Sequence, residues 1–217
     1  MTKLKYITIF LYLVLTVSVC EATTIELIQN GDFETGDMTG WSSIGNWGAS
    51  WGVQYGSIGM YHVHPMDHSH FAAAWNTSYH GAKLYQKADI SSYQLLDNKL
   101  HVQADLIYSK DAIRTYLQFY NSSGILFSTT YIGGWHYNHY QNIPGNFSLN
   151  AYVNIPTNTS AIAFVADGWV RDGRWLDAGI DQVSMTVNAT NPVPEPSSCY
   201  LLGSALLLFA RLTRRKS

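Results

Sequence analysis

The segment KLHVQADLIYS, residues 99–109, constrains the fold more than any other stretch of the chain. Leu100, Val102, Ala104, Leu106 and Tyr108 stand at alternate positions. Successive side chains of an extended strand point to opposite faces, so this pattern buries one face and leaves the other to water. A helix, with its period of 3.6, would scatter the same five side chains around its circumference. The segment predicts a strand lying on a core.

The same grammar recurs. AIRTYLQFYNSSGILFSTTYI, residues 112–132, reads as a strand, an Asn-Ser-Ser-Gly turn and a second strand, a hairpin. NFSLNAYVNIP, residues 146–156, alternates Phe147, Leu149, Ala151 and Val153. AIAFVADGWV, residues 161–170, is apolar on both faces, which suits a strand covered on both sides. GIDQVSMTV, residues 179–187, points Val183, Met185 and Val187 inward, and Asp181, two residues before Val183, falls on that core-facing side. No helical period lasts beyond about two turns in this region. Eight or nine short strands at this spacing predict an all-β fold, a sandwich of two sheets.

The two ends have a different character. Lys3 and Lys5 precede an apolar run from Tyr6 to Val19, followed by Cys20-Glu21-Ala22, the order of a secretory signal peptide over residues 1–22. A lipoprotein signal ending at Cys20 competes, but Val19 is a poor residue before the lipidated position. At the other end, Pro194-Glu195-Pro196 leads into an apolar helix of about residues 198–212 and a basic tail, residues 211–216. Counted generously, that helix reaches about 24 Å at 1.5 Å per residue, so it spans a bilayer only with local thinning and snorkelling arginines. Arg211, Arg214, Arg215 and Lys216 would hold it with its basic end in the cytoplasm and the preceding domain outside, the orientation that the signal peptide also gives.

Residues 23–190 therefore form the working domain. Six of the 13 Lys and Arg and two of the 15 acids lie outside residues 23–192, which leaves 7 basic against 13 acidic groups. A nucleic-acid binder displaces counterions from phosphates with a cationic face, and this acidic domain is not expected to bind nucleic acid. With Cys20 in the signal, Cys199 is the one cysteine left and no intramolecular disulfide is expected. Stability must come from the core.

Val193-Pro194-Glu195-Pro196, the small-residue-rich helix and the terminal Arg/Lys cluster resemble the PEP-CTERM sorting signal of Gram-negative bacteria. The resemblance implies an exosortase substrate, held at the inner membrane until that membrane protease cleaves near Pro-Glu-Pro, then released or attached at the cell surface or in an extracellular matrix. Residues IQNGDFETGDMTGW, 28–41, are similar to the opening of carbohydrate-binding-module-type jelly rolls of the galactose-binding-like superfamily. HSHFAAAW, KLYQKADI, KLHVQADL and GIDQVSMTV resemble later strands of that fold, with Gln182 where the family usually carries an acid or Asn.

This second resemblance implies a structural Ca²⁺ between Glu34 and Asp181, with Asn30 and Asp32 nearby. The competing reading is an N-terminal turn whose Asn and Asp side chains bond their own backbone. His62, His64, His68 and His70 form a second cluster, better read as a solvated loop than as a metal site, because no known ligand spacing is matched. Two aromatic groups are less easily buried: Trp135, His136 and Tyr137, and Trp169, Arg171, Asp172, Arg174 and Trp175. Flat rings beside hydroxyl-binding side chains suit a glycan, while capping of the sandwich ends is the alternative. No Gly-x-Ser-x-Gly, His-Glu-x-x-His or phosphate-binding loop is present, so no catalysis is expected. The expected function is binding of glycan, or a structural role in exopolysaccharide; the alternative is a membrane-anchored secreted enzyme acting on polysaccharide.

Overall fold

The structure, a computed structural model, describes residues 22–45, 50–57, 70–75, 81–108, 111–135, 145–169 and 178–190. Residues 1–21, within the expected signal peptide, residues 191–217, the expected sorting tail, and His62, His64 and His68 lie outside them. The described residues hold eleven strands: β1 (Thr23–Glu26), β2 (Ser42–Gly45), β3 (Ser50–Tyr55), β4 (His70–Trp75), β5 (Ala82–Asp89), β6 (Gln94–Tyr108), β7 (Ala112–Tyr120), β8 (Leu126–Trp135), β9 (Gly145–Asn154), β10 (Ala161–Trp169) and β11 (Ala178–Thr190). That exceeds the eight or nine expected, because β1 and β2 have four residues each, too few for an alternation to show.

The chain crosses repeatedly between two antiparallel sheets. The first has the order β3-β4-β11-β6-β9, with β1 added along β11; the second has the order β2-β5-β10-β7-β8. This is a jelly-roll β-sandwich. Leu100, Val102, Ala104 and Leu106 of β6, all at most 2% exposed, meet Leu84, Ile113, Leu117, Phe119, Ile162 and Phe164 from the other sheet. Fully burying a side chain of this size contributes about 1.5–3 kcal/mol relative to leaving it in water. The doubly apolar segment is β10, buried from Ala161 to Gly168 between β5 and β7, as its pattern predicts. β9 keeps its alternation but lies at a sheet edge, so Phe147 stays exposed and Ala151 and Val153 are half-buried. The Asn121 turn closes the expected hairpin. Its side-chain oxygen accepts the Ser123 and Ile125 N–H groups, each at 3.0 Å, and Gly124 supplies a φ of 74°.

The opening motif is a plug. Phe33 is fully buried, its ring lies 5.3 Å from that of Trp41, and Trp41 meets Phe164 edge-on. The Trp41 indole donates to the Asn30 carbonyl at 2.9 Å, and the Gln86 amide grips both backbone groups of Gln29.

One expectation fails on β11. Asp181 pairs with Asp105 but Ser184 pairs with Gln103, so β11 carries one extra residue, a β-bulge, with Gln182 at a φ of 49°. A one-residue insertion reverses which face the following side chains take. Ile180 and Val183 both enter the inter-sheet core, so Asp181 points to the opposite, outer face of the first sheet instead of sharing the Val183 side. It is buried there all the same, and its Oδ1 accepts the Gln182 N–H at 2.8 Å.

Candidate functional site

Trp135 and Trp169 end the two strands that border β7. Trp169 pairs with Ala112 and Trp135 with Ile113, so the two flank the start of β7 from either side. The Arg114 guanidinium lies 5.1 Å from the centre of the Trp169 ring, a cation–π distance, and donates through Nε and Nη2 to Asp167 Oδ2 at 3.1 and 2.8 Å. His136, Tyr137, Arg171, Asp172, Arg174 and Trp175 lie outside the described residues.

Below this corner the outer face of the second sheet is lined with tyrosines. The alternation that sends Ile113, Leu117 and Phe119 inward turns Arg114, Tyr116, Gln118 and Tyr120 outward. The pairing aligns Tyr85, Val165, Tyr116 and Tyr131 in one row across β5, β10, β7 and β8. At about 4.8 Å between strands, that row is about 14 Å long. Tyr85, Tyr116 and Tyr120 pack over Ala163 and Val165 and so also serve as a cover for the sheet. Tyr131 is 54% exposed. Burial raises the Tyr120 phenol above its usual pKa, and the neighbouring phenols of Tyr85 and Tyr116 add to the shift. Lys87 Nζ sits 3.9 Å over the Tyr120 ring, and Lys83 Nζ 6.0 Å from the centre of the Tyr116 ring. Such a surface offers flat rings for the C–H faces of sugars, with phenol, ammonium, guanidinium and carboxylate groups around them for hydroxyls.

These tyrosines are the part that sequence reasoning missed. AIRTYLQFY carries the signal in its own alternation, because a strand that buries Ile113, Leu117 and Phe119 must present Tyr116 and Tyr120 outward. That Tyr85 and Tyr131 complete the row is a matter of strand register.

The residues expected around a metal have hydrogen-bond partners within the protein. Glu34 Oε1 accepts the His70 backbone N–H at 2.8 Å, and Oε2 lies 3.2 Å from His70 Nδ1. Asp32 accepts the Glu34 N–H, and the Asn30 amide nitrogen donates to the carbonyls of Asp37 and Thr39. Asp37 in turn accepts from Thr35 and Thr39. This is the self-bonded turn of the competing reading. His70 begins β4, two residues before Ala72, which pairs with Ile180 beside Asp181, so Glu34 and Asp181 belong to one corner of the first sheet. Asn30 Oδ1 is buried there with no hydrogen-bond partner among the described residues. Among the described residues no group of three or more His, Cys, Asp and Glu is placed to hold a metal ion.

Two antiparallel sheets in this strand order make the chain a jelly-roll sandwich of the kind seen in carbohydrate-binding modules. No family model matches the sequence, and no curated protein does. Among solved structures, the enzymatically active domain of tailspike protein 4 of bacteriophage CBA120 is similar at 10% identity and a TM-score of 0.56, over 75% of this chain and 21% of that one. An arabinose-bound α-L-arabinofuranosidase is similar at 11% identity and 0.51, over 75% and 26%. The tandem family-22 carbohydrate-binding-module domain of Paenibacillus barcinonensis Xyn10C is similar at 9% identity and 0.50, over 82% of this chain and 49% of that one. The matched region is thus between a fifth and a half of those chains, and the likeness is one of fold.

Proposed function

We propose that the chain is an exported glycan-binding module whose site is the tyrosine-lined outer face of the second sheet, continued by Trp169 at its upper corner. The observation that carries this reading is the tyrosine row: aromatic faces inform about ligands when they gather on one surface, and the register puts Tyr131 directly beside Tyr116, with Tyr85 one strand further, across Val165. In this reading the sorting tail hands the module to an exosortase, which leaves it at the cell surface or in an extracellular polysaccharide matrix. Affinity electrophoresis of the full chain in gels cast with different polysaccharides tests the site. Retardation by at least one of them, weakened by Tyr131→Ala and by Trp169→Ala, is the expected result; equal migration with and without every polysaccharide rejects it. The sorting step is tested separately, by the size of the chain with and without a co-expressed exosortase.

The enzyme alternative draws on a single relationship, the cross-strand pairing of Asp105 with Asp181. Asp181 is only 1% exposed and Asp105 accepts a hydrogen bond from Ser148, which favours binding over hydrolysis by this pair. A structural Ca²⁺ at Glu34 and Asp181 would have to displace His70 from Glu34. Its signature would be a melting temperature raised by added calcium in the native chain and unmoved in Glu34→Gln.

A further inference from the structure

Charge is distributed unevenly over this sandwich. The described residues include four Lys or Arg, namely Lys83, Lys87, Lys99 and Arg114, and ten Asp or Glu. Three of the four cations, Lys83, Lys87 and Arg114, stand on the outer face of the second sheet, where Asp89 and Asp167 are the two acids that share the alternation. The first sheet carries the contrary pattern, with Glu26, Asp105 and Asp181 on its outer side. A domain with 7 basic and 13 acidic groups repels polyanions as a whole, yet three of its four described cations stand on its aromatic face.

The two acids there are already committed. Asp167 lies between Lys83 and Arg114 in the register, and its carboxylate takes both donors of the Arg114 fork. Asp89 accepts the Ser91 N–H at 2.8 Å in the turn after β5; that turn holds its carboxyl below the usual range, and the Lys87 charge adds a smaller part. Lys83 and Lys87 stand two residues to either side of Tyr85 on the same face of β5, about 13 Å apart at 3.3 Å per residue. Lys87 Nζ stands 3.9 Å over the Tyr120 ring and Lys83 Nζ 6.0 Å from the centre of the Tyr116 ring, so both ammonium groups lie on the aromatic face itself. An ammonium held over a ring is a strong hydrogen-bond donor to an anion and a modest one to a hydroxyl.

We propose that the ligand of this face is an acidic polysaccharide, whose ring-borne anionic groups meet Lys83 and Lys87 while its sugar faces stack on the tyrosine row. This inference rests on the glycan-binding reading above and narrows it. Titration calorimetry of the full chain at low salt against polygalacturonate, dextran sulfate, a neutral galactan and neutral dextran tests it. Tighter binding of the two charged polymers than of the neutral ones is expected. Polygalacturonate alone would assign the carboxylate, dextran sulfate alone the sulfate. Lys83→Gln with Lys87→Gln should lower affinity for the charged polymer about tenfold and remove most of its salt dependence. Lys99→Gln, a cation on the other sheet, should leave affinity unchanged. Equal binding of neutral and charged polymers, or full affinity in the double glutamine variant, overturns the inference and leaves the glycan-binding reading standing. Binding of none of the four, together with no retardation in the wider polysaccharide panel, removes both.

Discussion

The Gly31 carbonyl accepts the Val183 N–H at 2.9 Å, and a Cβ on Gly31 would stand 1.8 Å from the Val183 carbonyl oxygen. The opening loop and the β11 bulge are in backbone-to-backbone contact, with no flexible side chain to yield. Gly31→Ala must therefore move the loop or the strand, and with it the Phe33–Trp41 plug. We expect a loss of about 3 kcal/mol, at the upper end for overpacking, read as a lower urea midpoint. An unchanged midpoint would show that the loop does not dock on the bulge.

Arg114 and Asp167 form an ion pair on the tyrosine face. The Asp167 side chain is 9% exposed and that of Arg114 48%, so water screens the pair from one side only. Arg114→Leu leaves a largely buried carboxylate without its forked partner and should cost about 1–2 kcal/mol, discounted from the value for a fully buried pair. Adding Asp167→Asn to that variant should recover part of the loss. A double-mutant cycle that shows no coupling would contradict the observed geometry.

Stability should fall at both ends of the pH scale. Hydrogen bonds from Thr39 and Thr35 lower the Asp37 pKa, and the Ser91 turn lowers that of Asp89, both from 3.8. Carboxyls depressed by folding contribute stability that is present above the unfolded value and lost as pH falls below it. Burial raises the pKa values of Tyr108 and Tyr120 from 10.0, so their contribution is intact below that value and lost as pH rises past it. Melting temperature against pH should show both limbs, the acid one flattened by Asp37→Asn and the alkaline one by Tyr120→Phe.

Tyr131 separates binding from folding. Its ring is 54% exposed, against 9% for Tyr116, so Tyr131→Ala should leave the melting temperature within a few degrees of the original. Loss of one stacking face is worth about 1 kcal/mol and should weaken polysaccharide affinity about fivefold. Tyr116→Ala removes a ring that covers Ala163 and Val165 and should lower both quantities. An unaltered affinity in Tyr131→Ala would place the site elsewhere on the sandwich.

Much of the sandwich can be read from local alternation. Leu100, Val102, Ala104 and Leu106 on β6, and Val183, Met185 and Val187 on β11, are core residues by pattern and core residues in space. The hairpin at Asn121 and the doubly covered β10 follow from short stretches of sequence in the same way. Of the candidate site, Trp169 and Trp135 were visible as aromatics hard to bury, and the structure puts them on neighbours of one strand.

What the chain alone determines is which side chains share a face along one strand, because a period of two is written within a few consecutive residues. Which faces meet across strands is decided by pairing between distant segments. A single extra residue at Gln182–Val183 turns Asp181 away from the core, and nothing in GIDQVSMTV marks that insertion, since its partner strand and the Gly31 loop supply the contacts that hold it. The tyrosine row has the same origin. Tyr116 and Tyr131 share the Asn121 hairpin, but Tyr85 comes from β5, and only the hydrogen-bond register through β10 brings it into line with them.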